Sequence, residues 1–257
     1  MPFTFAHPAI VIPINKRLRK FFSLTALVIG SMAPDFEYFI RFKPVGLIGH
    51  TFLGFFYFNL PLCFLVAYLF HYIVKRSFIL NMPQCISKRY SYLTMESWGI
   101  HSIKELFIFI YSAIVGMLSH VIWDAFTHNG GRFVGMIPLL SKRVCIMNYK
   151  IPVYKLAQHG STLIGFMIIF YYLYSIRSKL SNRVSQISPI EKLMYWMFIF
   201  LGGIGMVFYR ISSSFYGCNL KYIGSYIVSF INGLFIGLVI VSLVFKFCFN
   251  RRQINHI

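Results

Sequence analysis

Five apolar runs, at about 46–73, 106–126, 160–176, 193–209 and 224–245, leave this chain few folds to choose from. Each is near the roughly 20 residues that an α-helix needs to cross the hydrocarbon core of a bilayer. In hydrocarbon every backbone N–H and C=O must be paired inside the protein, and unbroken runs of this length do that as helices. Two shorter apolar stretches, 1–14 and 24–33, precede them. The expected fold is therefore all-α: a polytopic membrane helical bundle of about five full spans plus two short N-terminal apolar helices. The expected domains are a motif-bearing membrane domain over 1–176 and, over 177–257, two further membrane spans with a basic tail.

Charge supports the same class. Only 12% of residues are charged and 58% are hydrophobic, whereas soluble domains carry about 25% charged residues. Basic residues outnumber acidic ones 25 to 6, for a formal net charge of +19. They gather at the ends of apolar runs, as in Lys16-Arg17-Leu18-Arg19-Lys20, Lys75-Arg76 and Arg251-Arg252. Such positions suit snorkelling and contact with anionic lipid, so membrane lipids, and not nucleic acid, are the expected partners. The basic residues divide almost evenly between alternate loops and do not fix an orientation. The first basic cluster follows the first apolar stretch, so no cleavable signal peptide is expected. Five cysteines without a C-x-x-C spacing argue against a disulfide framework or a zinc ribbon. The absence of an internal repeat weakens an inverted-repeat transporter.

Ionisable side chains recur at the ends of the apolar elements. His120, Asp124 and His128 are four residues apart, which on a helix puts them within a sector of roughly 80°, with steps of about 6 Å. His120 and His128 are then about 12 Å apart, too far for one ion unless the last turn unwinds at Asn129-Gly130-Gly131. A carboxylate within an apolar span costs about 3 kcal/mol on insertion scales, which makes Asp124 a functional candidate. Against that stands a plainer reading, in which the helix ends at the interface, its polar groups are wet and Trp123 anchors at headgroup level.

Ser23 can cap a helix over 24–33 that Pro34 should stop or kink, leaving Asp35 at the break. Asp35 can cap the next turn, act as a base, or bind a metal. His7 precedes Pro8, which suits a first helical turn. His50 opens an apolar run in Gly49-His50-Thr51, and His159 does so in Gln158-His159-Gly160. Polar groups at the ends of broken helices can converge on a cavity. The candidate site is therefore Asp35 as catalytic group, with His7, His50, His120, Asp124 and His128 as metal ligands. His159, Trp123 and Arg132 are candidates to support it from outside. His71, and the His101 and Glu105 pair, need no function.

Taken together, Met1-Pro2-Phe3-Thr4-Phe5-Ala6-His7-Pro8-Ala9, Gly30-Ser31-Met32-Ala33-Pro34-Asp35-Phe36, Gly49-His50-Thr51, His120 through His128, and Gln158-His159-Gly160-Ser161 closely resemble one bacterial membrane family. It is catalogued as domain of unknown function 4184. The likeness runs from Met1 to about Tyr174, the last spans matching only in kind, and it implies architecture and motif positions. More distantly, the chain resembles the zinc-dependent phospholipase C group and inner-membrane proteins described as metal-dependent hydrolases. In that group, His and Asp from several helices hold zinc ions that activate water for phosphodiester attack. The resemblance carries over to His7, Asp35, His50, His120, Asp124 and His128. The chain lacks an HxxxE after His128 and has no acid near His159, so one or two ions are implied and not three.

The resulting expectation is a membrane-embedded hydrolase of the bacterial inner (cytoplasmic) membrane, using zinc or another divalent metal. Its substrate would be a phospholipid or other anionic amphiphile. Two rivals use the same residues: a proton- or metal-ion-linked transporter, and a non-catalytic protein with a polar helix clasp.

Overall fold

The computed structural model describes residues 3–18, 20–178, 187–213 and 219–254, without the side chains of 15, 16 and 249–254. Arg19 and the side chains of Lys16, Arg251 and Arg252, read as lipid anchors, lie outside the described residues. The chain is an all-α helical bundle, and five of its described helices are long and apolar enough to cross a membrane: Phe52–Asn81, Ile103–Met136, Val153–Ile176, Pro189–Ser212 and Leu220–Cys248.

Two compact units share the chain. The first takes Met1–Phe36, Gly46–Phe64 and Ile100–Ile176; the second takes Glu37–Val45, Leu65–Gly99 and Arg177–Ile257. Every candidate site residue belongs to the first. The carboxy-terminal spans group with 37–45 and 65–99, segments that lie before residue 176 in the chain.

In the first unit, the short apolar stretches fold as the residues dictate. Pro8 opens a helix to Leu18, with His7 immediately before it. Ser23 caps the Leu24–Met32 helix by accepting from the N–H of Ala26 at 3.4 Å. Pro34 then ends the regular helix, and Ala33–Asp35 tightens into a 3-10 turn before Phe36–Arg41. The Leu24–Met32 helix packs against Ile103–Thr127 through two glycines. A Cβ on Gly30 would collide with the carbonyl of Ala113, and one on Gly116 with that of Leu27. This close approach brings the backbone near Ser31 to the side chain of His120.

The first span starts later and ends later than its apolar run suggests. Thr51 caps it, accepting from the N–H of Gly54 at 3.0 Å, so His50 lies just outside the helix. Pro61 has no N–H to return to Tyr57, and its ring crowds that carbonyl. The chain widens into a π turn over Phe55–Asn59 immediately before it. The helix then continues to Asn81, so His71 lies within it, its ring stacked on Trp98 with centroids 4.3 Å apart. At 101–105 the Glu105 side chain accepts from the N–H of His101 and Ser102 accepts from that of Glu105, a helix start that accounts for both residues.

The connection before the third of these spans holds an element the all-α expectation did not include. Arg143–Ile146 pairs antiparallel with Tyr149–Pro152, the turn being Met147 and Asn148, both at positive φ. A two-residue turn of this kind usually carries glycine; here Asn148 takes the left-handed geometry, which hid the hairpin. Pro152 ends the ribbon, and the next helix begins at once at Val153.

In the second unit, Pro189–Ser212 opens with a capping box between Ser188 and Glu191 and packs on Leu220–Cys248. Gly202 and Gly203 make a close approach to it: a Cβ on Gly202 would stand 2.8 Å from the carbonyl of Gly233. Gly205 has open space around it and takes no part.

Candidate metal centre

Four side chains that the sequence keeps far apart converge in the first unit. Asp35 and His120 are fully buried, while the side chains of His50 and Asp124 are 27% and 14% exposed. His120 Nε2 lies 3.5 Å from Asp35 Oδ1 and 3.4 Å from Asp124 Oδ2. His50 Nε2 lies 3.6 and 3.8 Å from the same two oxygens. All four donor atoms are within 4.8 Å of one another.

Each donor has a local structural cause. Asp35 is delivered by the Pro34 break, and its Oδ2 accepts the Thr4 hydroxyl proton at 2.6 Å, which turns Oδ1 toward the histidines. His50 is held by its turn. A Cβ on Gly49 would collide with the carbonyl of Pro34, so only glycine lets this turn lie against the residue preceding Asp35. The fully buried Asn59, on the π turn, donates to the Gly49 carbonyl at 2.6 Å and closes the loop. His120 and Asp124 share one helical face, as their spacing requires.

The distances decide what the cluster can be. His120 Nδ1 is 2.7 Å from the carbonyl of Ser31, which only accepts, so that nitrogen carries a proton. Nε2 is then left facing two carboxylates at 3.4–3.5 Å. A charge-assisted hydrogen bond from a protonated ring would be about 2.7–2.9 Å long. Two ligands each about 2.0–2.1 Å from a tetrahedral cation stand roughly 3.4 Å apart. Asp35 Oδ1 and His120 Nε2 are both buried without a hydrogen-bond partner, a cost of about 1–3 kcal/mol or more for each if nothing filled the space. Two imidazoles and two carboxylates are a donor set for zinc or a similar divalent ion. The cluster can therefore hold a metal.

His7 and His128 stand beside this quartet, at the other oxygen of Asp124. His7 Nε2 is 3.7 Å from Asp124 Oδ1, and its ring stacks on His120 with centroids 3.9 Å apart. Burial, and next the neighbouring His120, push the His7 imidazole down to about 3, so it is neutral at pH 7. Neither of its ring nitrogens has a hydrogen-bond partner. The Ile103–Thr127 helix does stop before His128, whose backbone is extended. The unwinding brings His128 Nδ1 to 3.3 Å from Asp124 Oδ1 and 3.1 Å from the Asp124 carbonyl.

The remaining candidates lie elsewhere. His159 is exposed and sits inside a helix that starts at Val153, not at the mouth of one. One residue earlier, Gln158 is buried, with Nε2 3.5 Å from His128 Nε2; helical phase, about 100° per residue, points 158 inward and 159 out. Arg132 is exposed at the start of the short Arg132–Met136 helix. Trp123 donates its Nε1 proton to Ser161 Oγ at 3.2 Å and so supports the helix beside Asp124. Thr4, Asn59 and Gln158 act here without having been singled out. For Thr4 and Asn59 no sequence signal exists short of the contact itself.

The family model described as Domain of unknown function (DUF4184) matches residues 1–243. The chain belongs to the DUF4184 family. The match runs past Tyr174, through Pro189–Ser212 and into Leu220–Cys248, farther than the motifs alone reach. No match was found among curated proteins or among solved structures. Family membership and the cluster together make this DUF4184 chain a membrane-type helical protein with a possible Asp and His metal site.

Proposed function

We propose that this chain is a membrane-embedded metal-dependent hydrolase of the bacterial cytoplasmic membrane, acting on a phospholipid or another anionic amphiphile. The observation that carries the reading is the convergence of Asp35 Oδ1, His50 Nε2, His120 Nε2 and Asp124 Oδ2 at 3.4–3.8 Å, metal-ligand spacing and not hydrogen-bond spacing.

In this reading the quartet holds one divalent ion, zinc being the best fit to its donors. When bound, that ion would supply a Lewis acid and lower the pKa of a water to about 7. The protein's own residues do the rest. Thr4 fixes Asp35, and Ser31 fixes the tautomer of His120 so that Nε2 presents its lone pair. Asp35, with Oδ2 taken by Thr4, serves as ligand more than as base. His7, neutral and with neither ring nitrogen hydrogen-bonded, stands beside the quartet with Nε2 3.7 Å from Asp124 Oδ1, placed as a further ligand or an orienting partner. His128 stands at the other oxygen of Asp124, its Nδ1 bonded to the Asp124 carbonyl. The excess of basic residues in the chain suits an anionic lipid surface.

Elemental analysis of protein purified without chelators tests the reading directly. About one equivalent of divalent metal is expected in the parent and none in Asp124→Asn. A folded parent without metal would leave the cluster as a polar clasp between helices. Solute flux into liposomes without lipid turnover would make it a transport path.

A further inference from the structure

A cavity of about 270 Å³ lies beside the cluster, with Ala9, Trp123, Ile164 and Ile168 among its walls and His7 as the side chain it shares with the site. All of its lining belongs to the first unit. The polar atoms of that lining are mostly spent. Trp123 Nε1 donates to Ser161 Oγ at 3.2 Å, and that hydroxyl donates to the Gln158 carbonyl at 3.0 Å. Gly165 lets its helix lie close against Ala6 at the wall of the cavity, since a Cβ there would come within 3.0 Å of the Ala6 carbonyl oxygen and 3.1 Å of Ala6 Cβ. What remains polar is His7, buried, with neither ring nitrogen hydrogen-bonded and Nε2 3.7 Å from Asp124 Oδ1. The rim is open: Ile164 is 58% and Ile168 36% exposed, on a helix long and apolar enough to cross a membrane.

Such a space offers water few partners, and it favours hydrocarbon. Its single polar boundary is the one that faces the cluster. We propose that this cavity holds one hydrocarbon chain of a lipid whose anionic head group sits at the Asp35, His50, His120 and Asp124 cluster. The head-group half of this inference rests on the hydrolase reading; the chain half rests on the cavity alone. The volume is large enough for a segment of one hydrocarbon chain. The lipid is thereby selected by its tail as well as its head, and a phosphate ester without a tail is a poor substrate.

Trp123 is the reporter for the test. The chain has three tryptophans, and Trp98→Phe with Trp196→Phe leaves Trp123 alone. In nanodiscs of phosphatidylglycerol brominated at mid-chain, a bound chain quenches its emission. Ala9→Leu, which fills the cavity from within, is expected to cut that quenching at least twofold. Ile164→Asn, at the exposed rim, makes the opening polar without touching packed interior and is expected to do the same. Quenching that neither substitution changes overturns the proposal, because Trp123 would then be meeting bulk lipid. Release of the phosphorylated head group is read on the same preparations, with an expected shift toward shorter chains of at least fivefold in Ala9→Leu. Quenching that responds to Ala9→Leu with no lipid turnover in the parent retires the hydrolase and leaves the chain site standing. Turnover with unaltered quenching and unaltered chain preference retires the chain site and leaves the hydrolase.

Discussion

His120 gives its Nδ1 proton to the carbonyl of Ser31 at 2.7 Å, and this one contact decides what the other side of the ring can do. A neutral imidazole fixed in that tautomer presents a lone pair at Nε2, toward Asp35 and Asp124. The contact exists because Gly30 and Gly116 let the two helices meet at backbone distance. Gly116→Val should therefore abolish metal binding without altering any ligand. Thermal unfolding should show a loss of about 1–3 kcal/mol, the usual cost of overpacking, and elemental analysis should show the missing ion.

The Thr4 hydroxyl reaches Asp35 from 31 residues away. Thr4→Val keeps the shape and removes the donor, and metal affinity is expected to fall about 10- to 100-fold, as for other groups that orient a ligand. Thr4→Ser should retain most of it. Competition against a chromophoric chelator measures both; equal affinity in Thr4→Val would show that Asp35 is positioned by packing alone.

Asn59 closes the His50 turn through the Gly49 carbonyl. Asn59→Leu removes that buried donor, at about 1–3 kcal/mol. Metal affinity should drop with it, because Asn59 ties down the turn that carries His50. Denaturant unfolding with and without added metal separates the two effects.

His159 and Arg132 stand outside the cluster, and Gln158 stands against it. His159→Ala and Arg132→Ala should leave metal stoichiometry at the parent value. Gln158→Ala frees His128 and should weaken binding, since His128 stands against Asp124. A loss of metal in His159→Ala would mean that the Val153–Ile176 helix is rotated about its axis from the arrangement described.

Metal binding should weaken as pH falls, because a histidine nitrogen must be deprotonated to act as a ligand. The sign follows from competition: protons and the cation seek the same lone pairs. Titration of metal affinity between pH 8 and 5 checks it, and a flat profile would remove the histidines from the ligand set.

Much of the bundle was legible in advance because hydrocarbon imposes its own rules. The Ser23 cap and the Pro34 break both follow from single residues with strong local preferences. Helix ends were less legible. Apolarity marks where a helix is dry, not where it stops, so Val153–Ile176 starts well before its run and Phe52–Asn81 ends well after. The Met147-Asn148 hairpin escaped for want of a glycine.

The candidate site divides along the same line. One helical face placed His120 and Asp124 together from their spacing alone, since α-helical geometry is the same in every protein. Residue type alone marked His7, Asp35 and His50 as ionisable groups at helix ends. Only the packed bundle decided that Asp35 and His50 join that face while His159 turns away. Only there do Thr4, Ser31 and Asn59 become the groups that aim them. The reason is that these partners meet through glycine contacts and bends whose outcome depends on both surfaces at once. No single stretch of chain encodes that.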